Sequence, residues 1–215
     1  MSGTTVIAID GPAASGKGTL ARKLAQHYGY AYLDTGSLYR AVGQAVLAAG
    51  QDPNDDAAAL AAAENLDISH IDEKTIRTRE AGEAASVVAA KPAIRAAILD
   101  FQRNFAANPP GGEEGAVLDG RDIGTVVCPD ARVKIFVTAS PEIRAHRRWL
   151  ELNNSGSKVN EAQILEDVRE RDRRDAERVA SPMKPAADAY LLDTSDLSIE
   201  AAFDAAVAII DKAMS

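Results

Sequence analysis

The chain has 215 residues, 46% of them hydrophobic and 26% charged, with a formal net charge of -8; that length and mix support a buried core and exclude a disordered, collagenous or disulfide-stapled chain. The one cysteine, Cys128, can form no internal disulfide, no apolar run reaches the ~18 residues of a membrane span, and the acidic balance argues against a nucleic acid polymer or an acidic lipid surface as partner. Residues 1–5 carry no basic region ahead of an apolar run that stops at Asp10, so no signal peptide is read, and a cytoplasmic monomer is expected.

In chain order, the first predicted strand is Val6-Ile7-Ala8-Ile9-Asp10, a continuous apolar run that ends in a glycine-rich turn. A helix follows, with Leu20, Leu24 and Tyr28 on one face, and then a strand Ala31-Tyr32-Leu33-Asp34. Residues 51–91 are alanine-rich and acidic, with one weak strand near Thr75-Ile76-Arg77. Pro92 opens a helix that carries Ile94, Ile98, Phe101 and Phe105. Ala116-Val117-Leu118-Asp119, Val133-Lys134-Ile135-Phe136-Val137 and Tyr190-Leu191-Leu192-Asp193 read as further strands, and the last helix carries Phe203, Val207 and Ile210. Apolar strands alternating with helices predict an α/β fold with a parallel five-stranded sheet covered on both faces. Four of those five strands end in Asp, at the edge where open α/β sheets build their sites. Residues 51–91 and 153–185 interrupt the alternation as insertions in a single domain, 1–215, whose core is about 1–50, 92–152 and 186–215.

Directly after the first strand stands Gly11-Pro12-Ala13-Ala14-Ser15-Gly16-Lys17-Gly18-Thr19. The spacing Gly-x4-Gly-Lys at a strand-to-helix junction gathers backbone N–H groups around a phosphate at a helix N-terminus, and Lys17 can reach the β- and γ-phosphates of ATP. Gly18 stands where a magnesium-binding Ser or Thr is usual, and Thr19 follows one residue late. No direct metal ligand is assigned. Thr19, Asp34 and Asp119 are candidates for orienting the waters of Mg2+, the two aspartates equally for plain capping.

The Gly-Lys-Gly-Thr ending resembles the loop of nucleoside monophosphate kinases. Further segments narrow this: Asp34-Thr35-Gly36-Ser37-Leu38-Tyr39-Arg40, Ala84-Ala85-Ser86, Pro92-Ala93-Ile94-Arg95, Asp119-Gly120-Arg121-Asp122-Ile123-Gly124-Thr125, and Arg171-Asp172-Arg173-Arg174-Asp175-Ala176-Glu177-Arg178. With them the chain resembles the bacterial cytidylate kinase family over nearly its whole length. The resemblance implies transfer of the γ-phosphate of ATP to CMP or dCMP, with Mg2+. It implies that Arg40, Arg121 and Arg178 hold the acceptor phosphate. Ser86, Arg95 and Asp122 would read cytosine, Arg171 and Asp175 would hold the sugar, and Thr35 and Tyr39 would complete that site. Lys17, Arg174 and Arg178 would act on the transferring phosphoryl group. Residues 51–91 become an NMP-binding insertion and residues 153–185 a lid.

These roles are chemically sound. Arginine forks match phosphate oxygens. The Asp122 carboxylate accepts from cytosine's amine and opposes uracil's carbonyl, while Ser86 and Arg95 donate to ring acceptors. Arg171, Arg174, Asp175 and Arg178 share one helical face, although Asp167–Arg171 and Glu170–Arg174 are also i, i+4 pairs that support any exposed helix. The insertion is shorter than the family's by a hairpin, because only Asp72-Glu73-Lys74 separates Ile71 from Thr75; looser closure and weaker base selectivity are the expected consequence. His27, His70 and His146 receive no role, and Cys128 and Trp149 read as packing residues. Two other readings share the loop. A P-loop kinase for another nucleoside monophosphate or a shikimate-type acceptor would lack the Asp-Gly-Arg-Asp-x-Gly-Thr segment. A nucleotide-binding regulatory module would not need arginines for a second phosphate.

Overall fold

The computed structural model describes residues 4–67, 71–154, 156 and 158–215. The expectation for His70, and part of the turn that opens residues 153–185, fall outside them. Strands β1 (Thr5–Asp10), β2 (Ala31–Asp34), β3 (Gly115–Gly120), β4 (Val133–Thr138) and β5 (Tyr190–Asp193) form one parallel sheet in the order β2-β3-β1-β4-β5. The alternation of side chains along each strand divides the core. Ile7, Ile9, Val117, Ile135 and Leu192 face helices α1 (Lys17–Tyr28) and α9 (Ile199–Met214), where they meet Leu20, Leu24 and Ile210. Ala8, Leu33, Ala116 and Leu118 face α6 (Pro92–Ala107) and the π-helical turn Ile123–Val127. Both faces are therefore covered, as the strand composition requires.

Two helical groups stand beyond this core. Helices α2 (Thr35–Ala48), α3 (Asp56–Glu64) and α5 (Arg79–Val88) pack with α6 through Leu38, Val42, Val88 and Ile94. Gly43 of α2 lets α5 come close, since a Cβ there would lie 2.8 Å from that of Ala84 and 3.0 Å from its backbone. Helices α7 (Pro141–Asn154) and α8 (Glu161–Glu177) pair through Ala145, Leu152, Ile164 and Val168. The expected strand at Thr75-Ile76-Arg77 is instead helical: α4 spans Glu73–Ile76, and the Asp72 side chain caps it by accepting from the Lys74 N–H at 2.9 Å. β-branched Thr75 and Ile76 suggested extension, but a capping aspartate and a core contact for Ile76 decide the local structure.

Asp10 ties the end of β1 to the segment after β3. Its two carboxylate oxygens accept the N–H groups of Ile123 and Gly124, each at 2.8 Å. Burial pushes its pKa up to about 6, with the two amide bonds opposing. Asp10→Ala leaves both buried amides without partners, at roughly 1–3 kcal/mol each. The expected result is a lowered urea midpoint with unchanged m-value.

Candidate active site

The phosphate loop lies between β1 and α1, at the C-terminal edge of the central strand. Gly11 has φ 147°, and a Cβ there would meet the Val137 carbonyl oxygen at 2.0 Å, so no other residue fits beside β4. Gly16, at φ 87°, leads into α1, which has no side-chain cap and no acid in its first turn. By contrast α2, α5 and α9 are capped by Asp34, Thr78 and Ser198. The first amides of α1 are thus left for an anion. Thr194 Oγ1 donates to the Ser15 carbonyl at 2.9 Å from behind the loop, and Arg147 donates to Thr194.

Lys17 faces a cavity of about 260 Å3 that Ala13, Ala14, Arg40, Ser86, Arg121 and Arg171 also line. Burial pushes its pKa down to about 8; Arg121 adds to the effect while Asp119 and Asp34 oppose it. Burial also pushes Asp119 up, to about 7, against the pull of Lys17. Gly18 explains itself here. A Cβ at that position would lie 3.0 Å from Asp119 Oδ2, so the carboxylate occupies the space that a Ser or Thr side chain would enter. Thr19 is exposed and lines a different cavity, with Arg147 and Thr194. Asp34 serves as the cap of α2, accepting from the Ser37 N–H at 3.2 Å.

A second cavity adjoins the first and shares Ser86, Arg121 and Arg171 with it. Thr35, Tyr39, Arg95, Asp122, Asp175 and Arg178 supply its other polar walls. With Arg40 in the first cavity, every residue expected at an acceptor site is therefore gathered at two adjoining cavities. Arg95 is held from all sides. It donates to Asp122, to the Ala89 carbonyl at 3.2 Å and to Ser181 Oγ at 3.1 Å, and its guanidinium lies 5.4 Å over the Tyr39 ring. Arg121 donates to Asp175 at 3.0 Å. Burial works to raise the Asp175 carboxyl, but Arg121, Arg171 and Arg178 outweigh it and hold its pKa below the usual range. Thr35 spends its hydroxyl hydrogen on the Asp119 carbonyl, at 2.7 Å, so it faces the pocket as a wall and an acceptor.

Cations crowd this region. Burial and neighbouring guanidiniums push Arg171 down to about 9 and lower Arg40 and Arg178. Such crowding of buried positive charge is stabilised by an anion. The Ser86 hydroxyl, Arg171 Nε and Arg178 Nη2 are buried without a hydrogen-bond partner, which is the mark of a site that takes a ligand. Arg178 does not line the cavity that holds Lys17. It lies on the Asp122 side, with Nη2 3.7 Å from that carboxylate and Nε donating to the Ser181 carbonyl at 2.6 Å. Arg174 lines the Lys17 cavity, 3.7 Å from Glu170.

Arg144, Arg147, Arg148 and Thr194 also stand at the site, outside the segments that the sequence singles out. Arg148 lines the Lys17 cavity. Arg144 is buried and donates to the Ala139 carbonyl, the Ala13 carbonyl and Asp172. Three arginines at i, i+3 and i+4 were a legible signal; the loop carbonyls of Ala13 and Ser15 that Arg144 and Arg147 reach, 131 and 132 positions away, were not. His146 hydrogen-bonds with Glu161, and Trp149 donates to the Val159 carbonyl at 3.2 Å, in the α7–α8 pair. Cys128 is half-buried, and burial raises its thiol to about 11.

The fold and the sequence both match known proteins. Solved structures of an uncharacterized protein from Eubacterium ventriosum (18% identical, TM-score 0.53, 97% of this chain and 99% of that one) and of an unliganded sugar kinase from a Janibacter species (14% identical, TM-score 0.50, 97% and 95%) share the fold. A protein named cytidylate kinase from Rhodospirillum rubrum is 61% identical over 95% of this chain and 96% of its own. One of the same name from Methylocella silvestris is 59% identical, over 97% and 94%. The family model described as cytidylate kinase matches residues 7–212. A match spanning both the phosphate loop and the arginine-bearing α8, on a chain that brings those segments to adjoining cavities, places this protein in the cytidylate kinase family.

Proposed function

We propose that this protein transfers the γ-phosphate of ATP to CMP or dCMP, giving ADP and CDP or dCDP. The observation that carries this reading is the adjacency of two cavities. One holds Lys17 and the uncapped start of α1; the other holds Ser86, Arg95 and Asp122; Ser86, Arg121 and Arg171 belong to both. In-line transfer forms a bond from an acceptor phosphate oxygen to the γ-phosphorus and breaks the bond to the β–γ bridging oxygen, whose electron pair leaves with ADP. The attacking oxygen is anionic near neutral pH, since a phosphate monoester loses its second proton near pH ~6. No general base is required, and Lys17, the loop amides and Arg174 act by holding charge where it develops. Arg40, Arg121 and Arg171 receive the acceptor phosphate and sugar with Asp175, and Arg178 joins them from the Asp122 side.

The acidic groups fit a hard cation held chiefly by phosphates and water: Asp119 is buried beside the loop, and Asp34 keeps free lone pairs beyond its cap. When bound, Mg2+ neutralises charge on the β- and γ-phosphates. Residues 51–91 act as the acceptor-binding insertion, through Ser86 on α5, and residues 153–185 as a lid, through α8. No helix among the described residues is long and apolar enough to cross a membrane.

The test is ADP release from Mg·ATP with CMP, dCMP, UMP, AMP and GMP offered separately. Release with CMP and dCMP is expected. Release with a different acceptor would reassign the second cavity, and release with none, despite ATP binding, would favour the regulatory module.

A further inference from the structure

Arg144 and Asp172 line neither of the two adjoining cavities, yet they connect the two halves of the site. Arg144, on α7, is 3% exposed, and its guanidinium serves three carriers of negative charge. Nε donates to the Ala139 carbonyl at 2.8 Å, at the end of β4. Nη1 donates to the Ala13 carbonyl at 3.3 Å. Nη1 and Nη2 together grip Asp172 of α8, at 3.0 and 2.5 Å. The fork geometry of arginine suits such a junction, because its donors are fixed in one plane.

The contact to Ala13 has a consequence for the cradle. No peptide among the described residues is cis. In a trans peptide the C=O and the following N–H point in opposite directions. Holding the Ala13 carbonyl towards α7 therefore turns the Ala14 N–H away from α7. Ala13 and Ala14 line the Lys17 cavity, and Arg144 does not. Ala14 has φ 59°, a left-handed backbone that alanine keeps only where its surroundings hold it. Asp172 lies between Arg171 and Asp175 on α8, both of which line the acceptor cavity. Hence one ion pair ties the orientation of a donor-loop peptide to the helix that carries acceptor-binding side chains.

We propose that Asp172 is a positioning residue for the phosphate donor: through Arg144 it sets the Ala13–Ala14 peptide, so that the loop takes its nucleotide-binding form when α8 is docked. This rests on the reading of the loop as an ATP site. A residue on the acceptor helix thereby controls the donor side.

The experiment compares Asp172→Asn with the unaltered protein in three measurements: kcat/KM for ATP at saturating CMP, Kd for ADP by titration calorimetry, and Kd for CMP alone. Loss of a charge-assisted, bidentate partner predicts that kcat/KM for ATP falls ~10-fold or more and that ADP binds correspondingly more weakly. The Kd for CMP alone stays within about twofold, which a general loosening of the structure would not spare. Arg144→Lys is the second variant. It keeps the charge but cannot reach Ala13, Ala139 and Asp172 at once, and it is expected to show the same split. Unchanged ADP affinity, or equal losses for ADP and CMP, overturns the proposal. If neither variant folds, the pair is a determinant of the fold and the proposal also fails. Absence of CMP-dependent ADP release in the unaltered protein would instead overturn the enzymatic reading, while the ADP titration would still judge this one.

Discussion

Lys17→Met will lower CMP-dependent ADP release by about 10³-fold or more, on the scale of losing a principal charge in phosphoryl transfer. The protein will remain folded, with a Tm at neutral pH equal to or above that of the unaltered chain. Both halves of this expectation follow from one fact. Lys17 opens α1 and faces a cavity shared with Arg40, Arg121 and Arg171, and burial pushes its pKa down from 10.5 to about 8. A lysine whose pKa is lowered by folding is held charged at a cost to the fold. Between pH about 8 and 10.5 the unfolded chain binds more protons at this group than the native one, so its contribution to stability rises with pH through that window. Removing the ammonium removes that unfavourable term. It also removes the charge that restrains the rise of Asp119, which lies at about 7; Asp119 then stays protonated to higher pH. ADP affinity of the empty protein will fall as pH rises above about 8, where Lys17 gives up its proton, and that step will be missing in the variant. A variant that turns over normally, or one that unfolds, would contradict this account of the loop.

The parts of this site that were legible in sequence are those set by local chemistry. The loop from Gly11 to Thr19 needs glycines where the backbone meets β4 or turns left-handed, and a strand before it and a helix after it; all of these are visible within twenty residues. The five strands are short apolar runs, and they were found because a sheet covered on both faces demands such runs. What local chemistry did not carry was the use made of each polar group. Asp34 reads equally as a cap and as a magnesium partner; the Ser37 N–H shows that it caps, and the cap leaves the remaining lone pairs of the carboxylate open. Thr75-Ile76-Arg77 has the composition of a strand, but among the described residues it pairs with no strand, and Thr75 and Ile76 belong to α4. Arg95 and Asp122 are 27 positions apart, and Arg121 and Asp175 are 54 apart, so their pairing depends on how α6 and α8 are packed against the segment after β3. For Arg178 the motif fixes the place in the chain and not the side chain's neighbours. Its position in the motif is kept, yet its guanidinium sits with Asp122 and Ser181 and not beside Lys17. The arginines of α7 were passed over for the same reason, since Arg144 and Arg147 act on carbonyls of a loop that is distant in the chain.

Asp122→Ala will cost CMP far more than UMP: kcat/KM for CMP is expected to fall by ~10²-fold or more, the scale of a buried charged group losing its partner, and UMP by much less. Asp122 is 4% exposed, and in the empty protein its carboxylate is engaged by Arg95 and approached by Arg178. The cavity that it lines adjoins the one that holds Lys17 and shares Ser86, Arg121 and Arg171 with it. A base that reaches the carboxylate takes the place of Arg95 on it. Cytosine repays that exchange, because its exocyclic amine donates to the carboxylate while its ring acceptors take Arg95 and the unpartnered Ser86 hydroxyl. Uracil presents a carbonyl at the same place and leaves the carboxylate facing an acceptor. With alanine at position 122 this repulsion is gone and Arg95 is free to donate to that carbonyl, so the ratio of CMP to UMP collapses. Asp122→Asn provides the gentler version, since its amide can donate to uracil, and it should move preference towards UMP with less loss overall. Equal losses for both nucleotides would place the base reader elsewhere. An insertion shortened by a hairpin, as the sequence leads one to expect, would give a slack site and a CMP-to-UMP ratio near one in the unaltered protein. The packing argues otherwise: Gly43 admits Ala84 at van der Waals contact, α5 is fixed on α2, and Ser86 is thereby set 4% exposed against the pocket. Sharp discrimination in the unaltered protein, lost on Asp122→Ala, is the outcome this packing predicts; a ratio near one from the outset would mean that the close approach of these two helices does not make the site selective.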